Sequence, residues 1–209
     1  TIDYPMASIR FHKFAIEGMQ DIQKQTEKSK AFYFPYVEEK RGVADKLLIE
    51  LAKNAAVVIT DDYPTYFVPQ MTAEAKGSIQ TTYELVDSNG LLPIRIAEKE
   101  YVRAHDFRRF MHKNIEDFLV EVPEKDPLEY LNLKFDEKLL EPIFKKYDLV
   151  DFNKVNTQDF LKNLNVDKSV EVSDVVGGYN AAKSRLDLFA KKGFNDYSKL
   201  RSHPSEDAS

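Results

Sequence analysis

Carboxylates gather at the ends of strand-like runs in this chain. Residues 55–67, AAVVITDDYPTYF, set a short β-branched run directly against Asp61 and Asp62, with Tyr63 and a proline next. Residues 86–98, VDSNGLLPIRIAE, repeat the device, and Asp87 follows the run QTTYELV. Glu38 and Glu39 stand in the same relation to AFYFPYV. In an open parallel sheet the loops at the carboxyl ends of the strands diverge and leave a crevice for a ligand. Three acidic strand ends along one such edge would repel a bare phosphate. They would accept hydrogen bonds from hydroxyl or ring N–H donors of a neutral or weakly charged ligand. The competing reading is structural, with Asp61 or Asp62 capping the following helix and Asp87 closing an Asx-turn.

Other chemistry has less support. No GxGxxG or GxxxxGK[ST] occurs, so neither dinucleotide nor nucleoside-triphosphate binding has a motif behind it. His12, His105, His112 and His203 make no HExxH, and cysteine is absent, so no metal is expected. The same absence removes disulfides and a cysteine nucleophile, and fits a reducing cytoplasm. His105, Arg108, Arg109, His112 and Lys113 form a basic stretch that could meet phosphate or another domain, against the plainer reading of a solvated helix face. The 30 Lys and Arg against 35 Asp and Glu give no field over the whole chain that would draw it to a polyanion. No apolar run reaches the roughly 18 residues of a spanning helix, so no membrane is expected. No signal peptide is visible, and Thr1 is not an initiator methionine.

The elements that would position these residues alternate. Residues 9–22 carry apolar side chains at helical spacing and predict an amphipathic helix lying on a sheet. Residues 31–37 are aromatic and strand-like, with Pro35 placing them near an edge. A helix over 43–53 follows, with Ala44, Leu47, Leu48 and Leu51 on one face. Residues 55–59 are an unalternated apolar run, expected as a central strand covered on both faces. A helix over 65–76 and a strand over 80–86 come next, then a turn at Asn89-Gly90 and a helix over 101–118. Strands alternating with helices over short connections predict a parallel sheet with right-handed crossovers. Beyond residue 122 the texture turns proline-rich and charged. A short helix near 141–147 and a clean helix over 179–192, after the Gly177-Gly178 break, are expected there. The last nine residues, RSHPSEDAS, have no apolar anchor and are expected to be disordered. The fold class is therefore α/β: an open, mostly parallel, Rossmann-like sheet with flanking helices over 1–122, then a largely helical or irregular extension over 123–209.

With these residues in hand, the chain resembles part of a DNA photolyase, of the photolyase/cryptochrome family and its class II-like bacterial branch. VVITDDYPTYFVPQM is similar to that branch's central strand and following acidic loop, and VDSNGLLPIRIAEKEYVRAHDFRRFMHKNI to its next strand, turn and helix. GGYNAAKSRLDLFAKKGFNDYSKLRSHPSEDAS resembles the stretch that leads into the flavin-binding helical domain. The resemblance implies an N-terminal antenna domain and interdomain linker, short of a strand and helix at its start and of the helical domain after Ser209. FAD, the electron-transfer tryptophans and the lesion pocket belong mainly to that domain, and this chain has no tryptophan. UV-damaged DNA would be contacted through it, so the chain by itself is expected to be inactive, to carry no catalytic residue and to be monomeric. By position, Asp61, Asp62 and Tyr63 match the loop that helps line a cleft for an accessory chromophore, a deazaflavin or a folate. Two rivals stand beside this reading: a stand-alone nucleotide- or flavin-binding α/β module, and a cryptochrome-type photoreceptor.

Overall fold

The computed structural model describes residues 6–38, 42–44, 46–120, 122–132 and 135–205. Contacts group the chain into two units, one of Thr1–Val43, Leu128–Phe135 and Tyr147–Ser209, the other of Ala44–Pro127 and Asp136–Lys146.

The second unit holds the α/β part. Helix α2 (Leu47–Ala52) leads into strand β1 (Val57–Asp61), helix α3 (Val68–Ser78) and strand β2 (Thr82–Val86). Strands β1 and β2 pair in parallel, with Val57 beside Thr82 and Asp61 beside Val86, so the segment is a βαβ unit. Leu47, Ala52, Ile79, Leu140 and Ile143 are its buried apolar residues. The Thr81 hydroxyl donates to the Ala52 carbonyl at 2.8 Å and fastens the start of β2 to the end of α2. Helix α4 (Ala104–Asn114) runs on into a 3-10 turn over Ile115–Phe118. Tyr101, Phe107 and Phe110 pack against one another at centroid distances of 5.2–6.2 Å, Tyr101 meeting Phe107 edge-on. Pro142 opens the short helix α5 (Glu141–Phe144) at its first turn, where its missing N–H would have had no partner anyway.

The first unit is built on helix α1 (Ile9–Thr26). Ile16 packs with Phe152, Leu161 and Leu164 in a core, each fully buried side chain contributing about 1.5–3 kcal/mol. Leu161 belongs to helix α6 (Thr157–Asn163), whose first turn is capped by the Asn156 side chain, accepting from Gln158 and Asp159 N–H. Polar side chains at every third or fourth position of α1 then hold an irregular segment in register. Arg10 donates to Glu171 O and Lys13 to Val175 O, while Glu17 accepts from Gly177 N–H and Asp21 from Asn180 N–H. Helix α7 (Tyr179–Leu188) starts there, with the Asp21 carboxylate at its N-terminus, where the helix dipole favours negative charge.

Several expectations are corrected. Residues 31–37 form no strand: their aromatic rings are spent on packing within the first unit, Phe32 stacking on Phe135 at 4.6 Å and Tyr36 meeting Tyr147 edge-on at 5.9 Å. Among the described residues the sheet therefore has two strands. β1 lies two residues later than the apolar run suggested, and Val57 and Ile59 are exposed, so it is not covered on both faces. The helix expected on a sheet, α1, takes α6 and α7 as its partners. The helix expected over 179–192 widens into a π-turn at Phe189–Gly193, and a further short helix, α8, covers Tyr197–Leu200. Of the tail, residues 201–202 and 204–205 are turns, and 206–209 lie outside the described residues.

The Gly177-Gly178 pair is explained by close approach. A Cβ on Gly177 would stand 2.1 Å from the Phe14 carbonyl oxygen, and Gly178 has φ 101° with its Cβ direction filled by the Asp21 carboxylate. Gly177→Ala is expected to destabilise the chain by about 1–3 kcal/mol or more by overpacking, read as a lower urea midpoint. An unchanged midpoint would mean that this contact is not formed.

Candidate functional site

The site is a groove at the carboxyl ends of β1 and β2. The ladder runs one residue past β1, with Asp62 N–H donating to Val86 O at 2.8 Å, so that the loops following both strands leave the sheet side by side. The β1–α3 turn, residues 62–67, contains Tyr66 at φ 59°, a left-handed conformation costly for a bulky residue. Helix α3 then begins at Val68, with no side-chain cap and with Pro69 in its first turn.

Each carboxylate at this edge has a partner. Asp61 accepts from the Ser88 hydroxyl. Asp62 Oδ2 accepts from Arg95 Nε at 2.6 Å, with the Asp62 side chain 19% exposed and that of Arg95 74% exposed. Asp87 accepts from Ile94 N–H at 2.6 Å and from both Asn89 N–H and Asn89 Nδ2 at 3.2 Å. Asn89 Nδ2 also donates to Asp62 O at 2.8 Å and ties the two loops together. The Ile94 amide, then the Asn89 side chain and backbone, with a smaller pull from Arg95, hold the Asp87 carboxyl below its ordinary value. Hydrogen bonding to Asp62, and its charge, raise the Arg95 pKa. The Asx-turn expected of Asp87 is present. The capping role considered for Asp61 and Asp62 is not, since the residue before α3 is Phe67.

The groove has a volume of about 420 Å³, within the usual span for small-molecule sites. Tyr63, Pro64, Pro69 and Leu85 supply apolar wall, and Asp62, Lys76 and Arg95 supply charge. Lys76 is exposed and in no ion pair with a described residue, and Asp62 Oδ1 accepts from none. The exposed Arg95–Asp62 pair is solvent-screened and easily rearranged. Such a groove can hold a flat ring against Tyr63 and the prolines while offering one acceptor and two cationic donors to the ring's carbonyls or acidic substituents.

Asp62 and Tyr63 line the groove, whereas Asp61 lies on the strand end behind it and braces Ser88. Glu38 follows the segment over 31–37, which forms no strand, and Glu39 lies outside the described residues, so among the described residues two acidic strand ends share the sheet instead of three. Arg95 and Lys76 were not singled out from the sequence. Arg95 is 33 residues from Asp62, and only the β1–β2 register shows them to be neighbours. With two cations on its wall, the edge is not the phosphate-repelling surface that the acids alone suggested. It still does not suit a dinucleotide such as FAD. The β1–α3 turn, DYPTYF, has no glycine to let backbone N–H groups cradle a pyrophosphate, and Pro69 removes one such donor from the first turn of α3. Among the described residues no group of three His, Asp or Glu could hold a metal ion.

A second cavity, of about 300 Å³, lies in the first unit between Gln23, Glu27, Phe32, Tyr33 and Asp151. Its acids are engaged, Asp151 with Lys154 and Gln23, and Glu27 with Asn153. Burial pushes the Tyr33 hydroxyl up.

Parallel pairing, an intervening helix and a groove at the strand ends define an α/β unit with a candidate site at its edge. No family model matches the chain. It is 24% identical over 205 residues to a deoxyribodipyrimidine photo-lyase of Methanothermobacter thermautotrophicus. That alignment takes in 98% of this chain and 41% of the relative's length, so the likeness to the photolyase family runs almost end to end on this side and over less than half of the other. Among the described residues no helix is long and apolar enough to cross a membrane.

The turn after β2 gives a direct test. Because hydrogen bonds hold the Asp87 pKa below the ordinary carboxylate value, the support that its charged form gives the turn is present above that ordinary value and is lost as pH falls through the lowered one. The Ile94 amide resonance should titrate with a midpoint below 3.8 in the wild type and not at all in Asp87→Ala. A midpoint at or above 3.8 would contradict this geometry.

Proposed function

We propose that this chain is the chromophore-bearing α/β part and linker of a light-driven, FAD-dependent deoxyribodipyrimidine photolyase, of the class II-like branch. In this reading the groove beside Asp62, Tyr63 and Arg95 is the seat of an accessory chromophore, a deazaflavin or a folate. The carrying observation is the alignment of 98% of the chain with one photo-lyase, joined to a groove whose wall suits a flat ring. Repair of pyrimidine dimers in UV-damaged DNA is then the work of the larger enzyme, and no bond-breaking step is assigned to residues of this chain. FAD belongs to the parent protein and not to this groove, for want of a pyrophosphate cradle.

Titration of the purified chain with a deazaflavin, a folate, FAD, ATP and AMP, followed by fluorescence and calorimetry, tests the reading. One of the first two is expected to bind at micromolar affinity, and Tyr63→Ala and Asp62→Asn each to weaken it about tenfold, the equivalent of about 1.4 kcal/mol. Micromolar binding of ATP or AMP with neither chromophore bound would favour a stand-alone nucleotide module. Tight stoichiometric FAD would contradict the assignment of flavin to the parent.

A further inference from the structure

We propose that the exposed face of α4 is a contact surface for the phosphate backbone of duplex DNA, so that this chain touches nucleic acid in its own right. His105, Arg108, Arg109, His112 and Lys113 recur at i, i+3, i+4, i+7 and i+8, which places all five on one stripe of the helix. All five are exposed. Phe110, Met111 and Asn114 fall on the opposite side and are partly covered. Phe107 and Phe110 on that side are engaged with Tyr101.

Among the described residues Arg108, Arg109 and Lys113 are in no ion pair, while His105 has the Asp106 carboxylate at 3.6 Å. Arg109 and Lys113 are like charges at i,i+4 and repel, a cost that a polyanion would relieve. At 1.5 Å rise per residue the stripe is about 12 Å long. That equals the axial rise over three or four phosphates of one strand of B-DNA, about 3.4 Å each. Arg side chains in particular match phosphate with two parallel N–H donors. The chain's net charge of -5 opposes association at long range, but charges more than about 10 Å away are screened at 0.1 M salt, so the local stripe decides. A membrane surface fits less well, because insertion needs a free apolar face and that of α4 is engaged with Tyr101. The choice of DNA as the polyanion rests on the photolyase reading.

The test uses the full 209-residue chain, an undamaged fluorescein-labelled 20-bp duplex and no chromophore, with anisotropy followed in the dark from 25 to 200 mM NaCl. Three permanent cations predict a slope of log K against log salt of about -2.7. Arg108→Gln, Arg109→Gln and Lys113→Gln together should flatten the slope to near zero and weaken binding at least tenfold at 25 mM. The charge-preserving set Arg108→Lys, Arg109→Lys and Lys113→Arg should keep the slope, which separates lost charge from a damaged helix. A matched neutralisation of Lys183, Lys191 and Lys192 in the other unit should change nothing. Absence of duplex binding at 25 mM, equal slopes for the wild type and the Gln set, or binding to phosphatidylglycerol vesicles without duplex binding would each overturn the proposal. Because neither lesion nor chromophore is present, this result is independent of the chromophore titration.

Discussion

Five residues of β1 lie beside five of β2 in one parallel register, and the bond from Asp62 N–H to Val86 O carries that register into the loops. The groove depends on this pairing. Side-chain period in a strand is two, so a slip of one residue would turn Asp61 and Asp62 to opposite faces and separate Asp62 from Arg95. With the register in place, Asn89 joins the loops, Asp87 gathers the Ile94 and Asn89 amides, and Arg95 settles on Asp62. The acids at the strand ends thereby act first as acceptors that shape two loops. What remains for a ligand is an apolar wall, one open carboxylate oxygen and two cations.

The other unit answers a different demand. Its segment over 167–180 has no regular ladder, yet its backbone polar groups must be satisfied. Helix α1 supplies the partners from its own side chains, Arg10, Lys13, Glu17 and Asp21, in the order in which the segment passes. Gln23 does the same for Phe152 N–H beside the core. A helix used in this way needs an apolar stripe for the core and a polar stripe for the segment, and the sequence over 9–26 has both.

Local periodicity makes much of this visible in the sequence. The helices over 9–22 and 101–118 are legible because one face of each is apolar at helical spacing, the second strand because its residues alternate, and the first because of its short unalternated apolar run, although that run wrongly implied cover on both faces. The strand expected over 31–37 was not there, because aromatic and β-branched content measures fitness for a half-buried surface and not pairing itself. Phe32 and Tyr36 found that surface against Phe135 and Tyr147. Arg95 was invisible for a related reason: nothing in IRI marks a site until strand pairing brings it to Asp62. That Asp62 and Tyr63 stand at a strand-end groove is legible from the way the loops of open α/β sheets diverge there.

The central claim is that the strand-end groove holds a flat chromophore. Amide shift mapping on the 15N-labelled chain with a saturating deazaflavin or folate tests it at residue level. The account predicts perturbations concentrated at Asp62, Tyr63, Lys76, Ile94 and Arg95. Perturbations centred on Gln23, Tyr33 and Asp151, or none with either chromophore, would contradict it.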